Sequence, residues 1–290
     1  MSRRKRLLNH CERAARDLVR DAASRFGAEV FSKVRLADVL DINQSGLSHD
    51  EFNYALKSHL DFVVTRNDIA EFALEFDGPH HTYDECAISN DLAKQSICRQ
   101  LNLPLLRVDA QFLRPLEKFS VLTWLVTMWF ANAQNENCLF DYMGFFENSS
   151  SDTIDPFQAS RRFVCVKLMG SSPQKVEFYR GRDRFGYALA VAIYRVDNQR
   201  AIIGRGRCQT SLDWPVNSEF VAADLAFLDL RDHLELWIHG ENRVLERDMA
   251  NTLAREFQQW SENGTFVCPS SFVSRSEFIV DLWLNHPYAS

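Results

Sequence analysis

A chain of 290 residues with 46% hydrophobic and 25% charged side chains is long enough to bury one large core or two modest ones. Its composition excludes a disordered, collagen-like or linker protein. The formal net charge of −6 excludes a globally basic nucleic-acid coat protein, while leaving room for a local basic face.

The first basic run, Arg3-Arg4-Lys5-Arg6, is followed by only Leu7 and Leu8 before Asn9, His10 and Glu12, so no secretion signal is expected. No apolar stretch approaches the roughly 18 residues that cross a bilayer. Seven cysteines stand at 11, 86, 98, 138, 165, 208 and 268, an odd number without a Cys-x-x-Cys pair. That argues against a disulfide framework or a zinc knuckle. The expectation is a cytoplasmic protein with reduced thiols and no membrane partner.

In chain order, Leu7, Leu8, Cys11, Ala14, Ala15, Leu18, Val19 and Ala22 recur at helical spacing. They predict an amphipathic helix over about 6–25, ended by Gly27. Residues 29–39 read as a strand, 41–50 as a polar turn region and 60–65 as a short apolar strand. Arg66-Asn67-Asp68 reads as a turn, and 71–77 as a further strand closed by Gly78-Pro79. A helix at 90–101 and a strand at 104–109 follow. A strand–helix–strand step implies a right-handed crossover and a mixed α/β sheet.

Residues 119–131, with Trp124 and Trp129, predict a buried helix packed between two domains or, alternatively, a helix that docks a protein partner or a second copy of the chain. Ser149-Ser150-Ser151 reads as a linker. Strands are expected at 163–168, 176–179, 187–194 and 234–238, and a helix at 243–261 with Leu245, Met249, Leu253, Phe257 and Trp260 on one face. The expected organisation is a domain at 1–110, an apolar helical connector at 111–150 and a C-terminal α+β binding or regulatory domain at 151–290.

The chemistry concentrates at Leu60-Asp61-Phe62 and Leu74-Glu75-Phe76-Asp77. Residues two apart in a strand share a face, so Glu75 and Asp77 are expected together, with Asp61 beside Glu75 across a short hairpin. Three carboxylates on one sheet face repel one another unless a cation offsets them. Hard oxygen ligands in that arrangement suit Mg²⁺ or Mn²⁺, which can activate water for attack on a phosphodiester. The plain alternative is that two of the three are solvated charges on an edge strand.

The linked set Asp61-Phe62, Glu75-Phe76-Asp77-Gly78-Pro79-His80-His81, Asp91-Leu92-Ala93-Lys94 and Pro104-Leu105-Leu106-Arg107 resembles the PD-(D/E)XK, or restriction-endonuclease-like, nuclease superfamily. It is most similar there to a bacterial branch of unknown function, and Lys33-Val34-Arg35-Leu36-Ala37-Asp38-Val39-Leu40 and Lys57-Ser58-His59-Leu60 look like the same branch. The resemblance covers residues 7–110. It implies a mixed-sheet core flanked by helices. It also implies a nuclease in which Asp61 and Glu75 bind Mg²⁺ or Mn²⁺, with the Phe76 carbonyl as a further ligand and Glu12 holding a metal-bound water. The superfamily's usual lysine is replaced by Asp77. Lys94 is the first candidate to stand in for it and Lys57 the second.

His81 is expected either to act as acid or base at the scissile phosphate or to be a loop histidine like His80. His10 and His59 read as structural. Asp91 is expected to cap its helix or to lie near the metal, and Arg107 to pair with an acid. The resemblance favours DNA over RNA, and defence, mobile-element biology and repair are all compatible. The rival expectation is a nuclease-like module without activity that binds nucleic acid or acts as a protein-interaction or regulatory subunit.

Residues 161–207 carry 11 basic and 3 acidic side chains, a net of +8, whereas 208–290 carry a net of −8. Arg180, Arg182 and Arg184 around Gly181, and Arg205 and Arg207 around Gly206, read as Arg-Gly-Arg turns. Such turns suit phosphate, with Phe178, Tyr179, Phe185 and Tyr187 available to stack on bases. The alternatives are a basic face paired with the acidic block, or one that meets a protein partner.

Overall fold

The computed structural model describes residues 7–78, 85–116, 119–134, 176–183, 186–197, 199–211, 214–246 and 266–267. The chain divides into two compact units, Met1–Phe145 with Gln209–Asn217, and Phe146–Cys208 with Ser218–Ser290.

The first unit opens with α1 (His10–Ser24). Asn9 caps it by accepting the Glu12 N–H, and the Asn9 N–H donates back to Glu12 Oε2, a reciprocal capping box. Gly27, at φ +67°, turns the chain out of the helix. β1 (Glu29–Arg35) follows, and then the chain departs from the long strand expected over 29–39. Residues 36–39 form one helical turn, α2 (Leu36–Val39), and Ser48 caps a second helix, α3 (His49–Lys57). The Ser48-x-x-Glu51 pair is a capping box written in the sequence. The polar, turn-like residues around it made 41–50 read as a turn region.

β2 (His59–Arg66) and β3 (Ile69–Phe76) are joined by Asn67 and Asp68, at φ +53° and +63°. Both central residues are left-handed, as a two-residue primed hairpin turn requires. α4 (Glu85–Gln100) then crosses over to β4 (Leu105–Val108). The strands lie in the order β1-β2-β3-β4, antiparallel except for the parallel β3–β4 step. This is the mixed sheet that a strand–helix–strand crossover demands. Gln209 and Thr210 pair antiparallel with the outer side of β4.

Helices cover both faces of this sheet. On one, Leu36, Ala55, Leu60, Val63, Ala73, Ile97, Cys98 and Leu105 form a buried cluster. On the other, Phe72 meets Phe130 and Trp129 of α5 (Val121–Gln134), and Phe26 stacks on Phe130 at 4.9 Å. Short strands β5 (Pro115–Leu116) and β6 (Phe119–Ser120) lead into α5. Packed against α1 and the sheet, α5 is therefore part of the first unit. It does not belong to a connector between domains, because its aromatic side chains find their burial here.

The second unit contains an antiparallel meander of β7 (Val176–Arg182), β8 (Ala188–Arg195) and β9 (Ala201–Thr210), of which residues 201–208 lie in this unit. β10 (Leu245–Glu246) joins β9, and β11 (Phe266–Val267) joins β7. The long helix α6 (Ser218–Ile238) contains residues 234–238, expected as a strand. Val221, Ala222, Leu225, Ala226, Leu230 and Leu234 are buried at helical spacing, and a short apolar run alone does not distinguish the two. The helix expected from 243 begins instead with a 3-10 turn and β10. The rest of that segment, the strand at 163–168 and the linker serines lie outside the described residues.

Gly204 and Gly206 set the helix–sheet distance. A Cβ on Gly206 would lie 1.9 Å from the Ala222 carbonyl oxygen, and one on Gly204 would lie 2.1 Å from that of Ala226. Only a residue without a side chain admits the helix backbone this closely.

Candidate active site

β2 and β3 pair from their hairpin, with one register shift between Val64 and Thr65, as far as Phe62 and Leu74, and there the ladder stops. Beyond it, carboxylates take over the backbone's hydrogen bonds. Asp61 Oδ2 accepts the Phe76 N–H at 2.9 Å, and Glu75 Oε1 accepts the Asp61 N–H at 3.1 Å. The two acids are thus fixed side by side at adjoining strand ends by the main chain itself.

Each acid also holds a lysine. Lys94 reaches down from α4, donating to Glu75 Oε2 at 2.6 Å and to the His59 carbonyl at 2.9 Å. Lys33 reaches from β1, donating to Asp61 Oδ1 at 2.5 Å and to Glu12 Oε1 at 2.9 Å. Lys94, on the helix after the strand, therefore lies at Glu75. Lys57, the second choice for that role, lies exposed at the last residue of α3.

Burial separates the two lysines. The Lys94 side chain is 10% exposed and Glu75 8%, whereas Lys33 is 30% exposed. Burial pushes the Glu75 carboxyl up to about 7, against the pull of the Lys94 charge. Burial also works against the Lys94 ammonium, but the Glu75 charge and hydrogen bond outweigh it and hold Lys94 above its ordinary value. Lys33 is likewise held up, its partial burial outweighed by its bonds to Asp61 and Glu12.

Asp77 goes elsewhere. β3 ends at Phe76, so the two-residue alternation that would place Asp77 beside Glu75 does not extend to it. Its carboxylate is gripped by Arg107, whose Nε lies 3.2 Å from both oxygens and whose second nitrogen makes a further bond. Arg107 also bridges to Asp91 at 2.8 Å, and its side chain is only 3% exposed. α4 begins at Glu85, so Asp91 sits in the helix body and not at its cap. The expected face of three acids is therefore two adjacent sites, an acid pair with two lysines and an acid–arginine–acid bridge.

Glu12 joins the first of these through Lys33. His59 contributes only its carbonyl, and His10 is exposed at the start of α1. His80 and His81 lie outside the described residues. Among the described residues no three His, Cys, Asp or Glu side chains gather as a group that could hold a metal ion. Cys11, Cys98 and Cys208 form no disulfide, and no helix is long and apolar enough to cross a membrane, again among the described residues.

Lys33 was missing from the sequence-based site. It adopts φ +57°, a left-handed conformation inside a strand whose neighbours, Ser32↔Phe62 and Val34↔Leu60, keep regular register. For a residue other than glycine this costs about 1–2 kcal/mol. The sequence signal available was a lone lysine in the strand before Asp61. Two helices separate β1 from β2, so their register was not countable.

The arginines of the second unit are arranged differently from the expected turns. Arg180-Gly181-Arg182 lies in β7 and Arg205-Gly206-Arg207 in β9. The glycine that suggested a turn at 206 serves instead to admit α6. Through β8, Arg180 pairs across to Ala190 and then Gly206. Cross-strand partners share a face and strand neighbours oppose it, so Arg180 and Arg182 lie on the α6 face and Arg205 and Arg207 on the other. Arg182 bonds Glu219 at 3.0 Å, Arg205 lies 3.6 Å from Glu246, and Arg207 stacks over Tyr187 at 3.5 Å near Asp183. Arg184 and Phe185 lie outside the described residues.

Residues 4–115, which include every acid and base of the first unit's site, match a family described as Protein of unknown function (DUF2726). No curated protein and no solved structure matches the chain.

Proposed function

We propose that the first unit is a metal-dependent nuclease that hydrolyses phosphodiester bonds in nucleic acid, DNA before RNA. The observation that carries this reading is the coupling of Asp61 and Glu75 at the ends of β2 and β3, each with its own lysine. Together with the restriction-endonuclease-like motif string and a mixed sheet flanked by helices, it supplies the acid–acid–lysine set that such chemistry uses.

Two carboxylates fit Mg²⁺, which keeps several waters and takes its remaining ligands from a substrate phosphate, so a cage of three protein acids is not required. Asp61 and Glu75 would hold the ion, with the Phe76 carbonyl as a further ligand and Glu12 at the ion directly or through a bound water, as the resemblance implies. Mn²⁺ suits the same oxygens. When bound, such an ion supplies a Lewis acid that lowers the pKa of a water and offsets charge on the phosphodiester.

The chain's own residues do the positioning. The Phe76 N–H fixes one oxygen of Asp61, and Lys94 orients Glu75 from a buried position that a substrate does not reach. Lys94 is thus a positioning residue in place of the lysine that Asp77 displaces. His81 is retained as the proposed acid or base. Docking of nucleic acid by the second unit is supported only in divided form, since one face of that sheet carries Arg180 and Arg182 and the other Arg205 and Arg207.

The test is a cleavage assay with Mg²⁺ or Mn²⁺ on single- and double-stranded DNA and RNA, run beside Asp61→Ala and Glu75→Ala. Metal-dependent products are expected from the parent and none from either variant, with circular dichroism unchanged. Undiminished cleavage by a folded Glu75→Ala protein overturns the assignment. A second reading, a module of this fold that binds nucleic acid or a protein without cutting, is favoured by Asp77 at the lysine position and by its engagement with Arg107. It predicts oligonucleotide retention without products, or no retention where the partner is a protein.

A further inference from the structure

Glu12 comes from the first turn of α1 and Asp61 from β2, yet one oxygen of each converges on a single point, the Lys33 ammonium, at 2.9 and 2.5 Å. The other oxygen of each is already committed to the main chain, Glu12 Oε2 to the Asn9 N–H at 2.7 Å and Asp61 Oδ2 to the Phe76 N–H at 2.9 Å. Both carboxylates are therefore held from behind, with their remaining oxygens aimed at a cation whether or not the lysine is present.

Lys33 is set in that place against its own backbone preference. Glycine or asparagine would adopt φ +57° with less strain. Strained conformations of this kind concentrate where a side chain must be aimed. The lysine also has a way out. Its side chain is 30% exposed, whereas Lys94 is 10% exposed and doubly bonded.

We propose that Lys33 is a built-in counter-cation: its ammonium occupies the position between Glu12 and Asp61 that a divalent cation would take, so that the two exclude each other. Arrival of the cation displaces Lys33 toward solvent, where it can meet the phosphate of a nucleic acid. The metal-free site is thereby kept from exposing uncompensated acids, and the lysine becomes available only when the metal is in place. The inference rests on the nuclease reading and assigns regulation to the same site.

The experiment is calorimetric titration of Mn²⁺ into the full chain, comparing the parent with Lys33→Met, which removes the charge, and Lys33→Gly, which also relieves the backbone. Each variant is expected to bind Mn²⁺ at least about tenfold tighter, because a neighbouring like charge has gone. Adding Asp61→Asn to Lys33→Met is expected to reverse the gain. If Lys33→Met fails to fold, the unstrained Lys33→Gly chain carries the comparison. Equal or weaker binding by the folded Lys33 variants overturns the inference alone and leaves the nuclease reading standing. A gain that survives Asp61→Asn also overturns it, because the cation then sits elsewhere. No Mn²⁺ binding by any of the proteins overturns both.

Discussion

In the first unit, Lys33 and Arg107 each bridge two acids and Lys94 ties Glu75 to the His59 carbonyl, and the side chains of Lys94 and Arg107 are at most 10% exposed. In the second unit, Arg182 and Arg205 meet Glu219 and Glu246 with every partner between 35% and 40% exposed, on opposite faces of one sheet. The second unit contains the segment with the largest excess of cations, residues 161–207, yet the first unit is where the described charges converge. A count along the chain reports how many charges a segment has. Whether they meet depends on strand register, and register set Arg180 and Arg182 on one face and Arg205 and Arg207 on the other, while a slightly acidic third of the chain gathers its described charges into a compact ion network.

The sharpest way to break this contrast is at Arg107. Replacing it with Met leaves Asp77 and Asp91 without the guanidinium that bridges them. Breaking a buried pair from one side costs about 3–5 kcal/mol, so the urea midpoint is expected to fall steeply. A midpoint near the parent's would mean the network is solvated after all.

The next effect belongs to the second unit and involves no charge. Gly206→Ala forces a methyl group against the Ala222 carbonyl and is expected to destabilise by about 1–3 kcal/mol. An unchanged denaturation curve would show that α6 does not sit on β9 as described.

Arg205→Gln and Arg207→Gln are expected to cost less than about 1 kcal/mol each and to lose even that in high salt, as for partly exposed pairs. If oligonucleotides dock on this sheet, the salt slope of binding should respond to one set, Arg180 with Arg182 or Arg205 with Arg207, and not to both. Equal responses would restore a single basic surface.

The smallest effect is at Cys98. Burial, with the Glu75 charge adding to it, pushes this thiol up to about 12 from an ordinary 9.0. Between those values the folded chain keeps a proton that the unfolded chain releases, so this group's contribution to stability falls as pH rises from about 9 toward 12. At pH 9 iodoacetamide should label Cys98 only in denaturant, and rapid labelling of the native protein would refute its burial.

Much of the first unit was legible because its signals are local. The β2–β3 hairpin announces itself through Asn67-Asp68, and the crossover helix through the spacing of Ile97 and Leu101. Asp61 and Glu75 were countable across that short turn. An acid partner for Arg107 was expected, but neither the place of Lys33 nor the identity of Asp77 and Asp91 as the bridged acids was, because these depend on how elements distant in sequence come together. In the second unit, Gly206 was misread for a related reason. A glycine between arginines looks the same in sequence whether it bends the chain or admits a helix, and only the partner helix distinguishes them.

The strip Gln209–Asn217 returns to the first unit after the chain has built β7, β8 and most of β9. There it closes the free edge of β4 and sets Trp214 against Phe72 and Trp129. During synthesis the N-terminal sheet must therefore wait, with β4 unprotected, until a distant stretch has left the ribosome. Long-range closure of this kind is slow, and an open strand edge invites pairing with other chains. A fragment ending at residue 145 would keep every acid and base of the site and still lack the strip that caps its sheet. Such a fragment is expected to aggregate, and the full chain, which supplies the strip, is not.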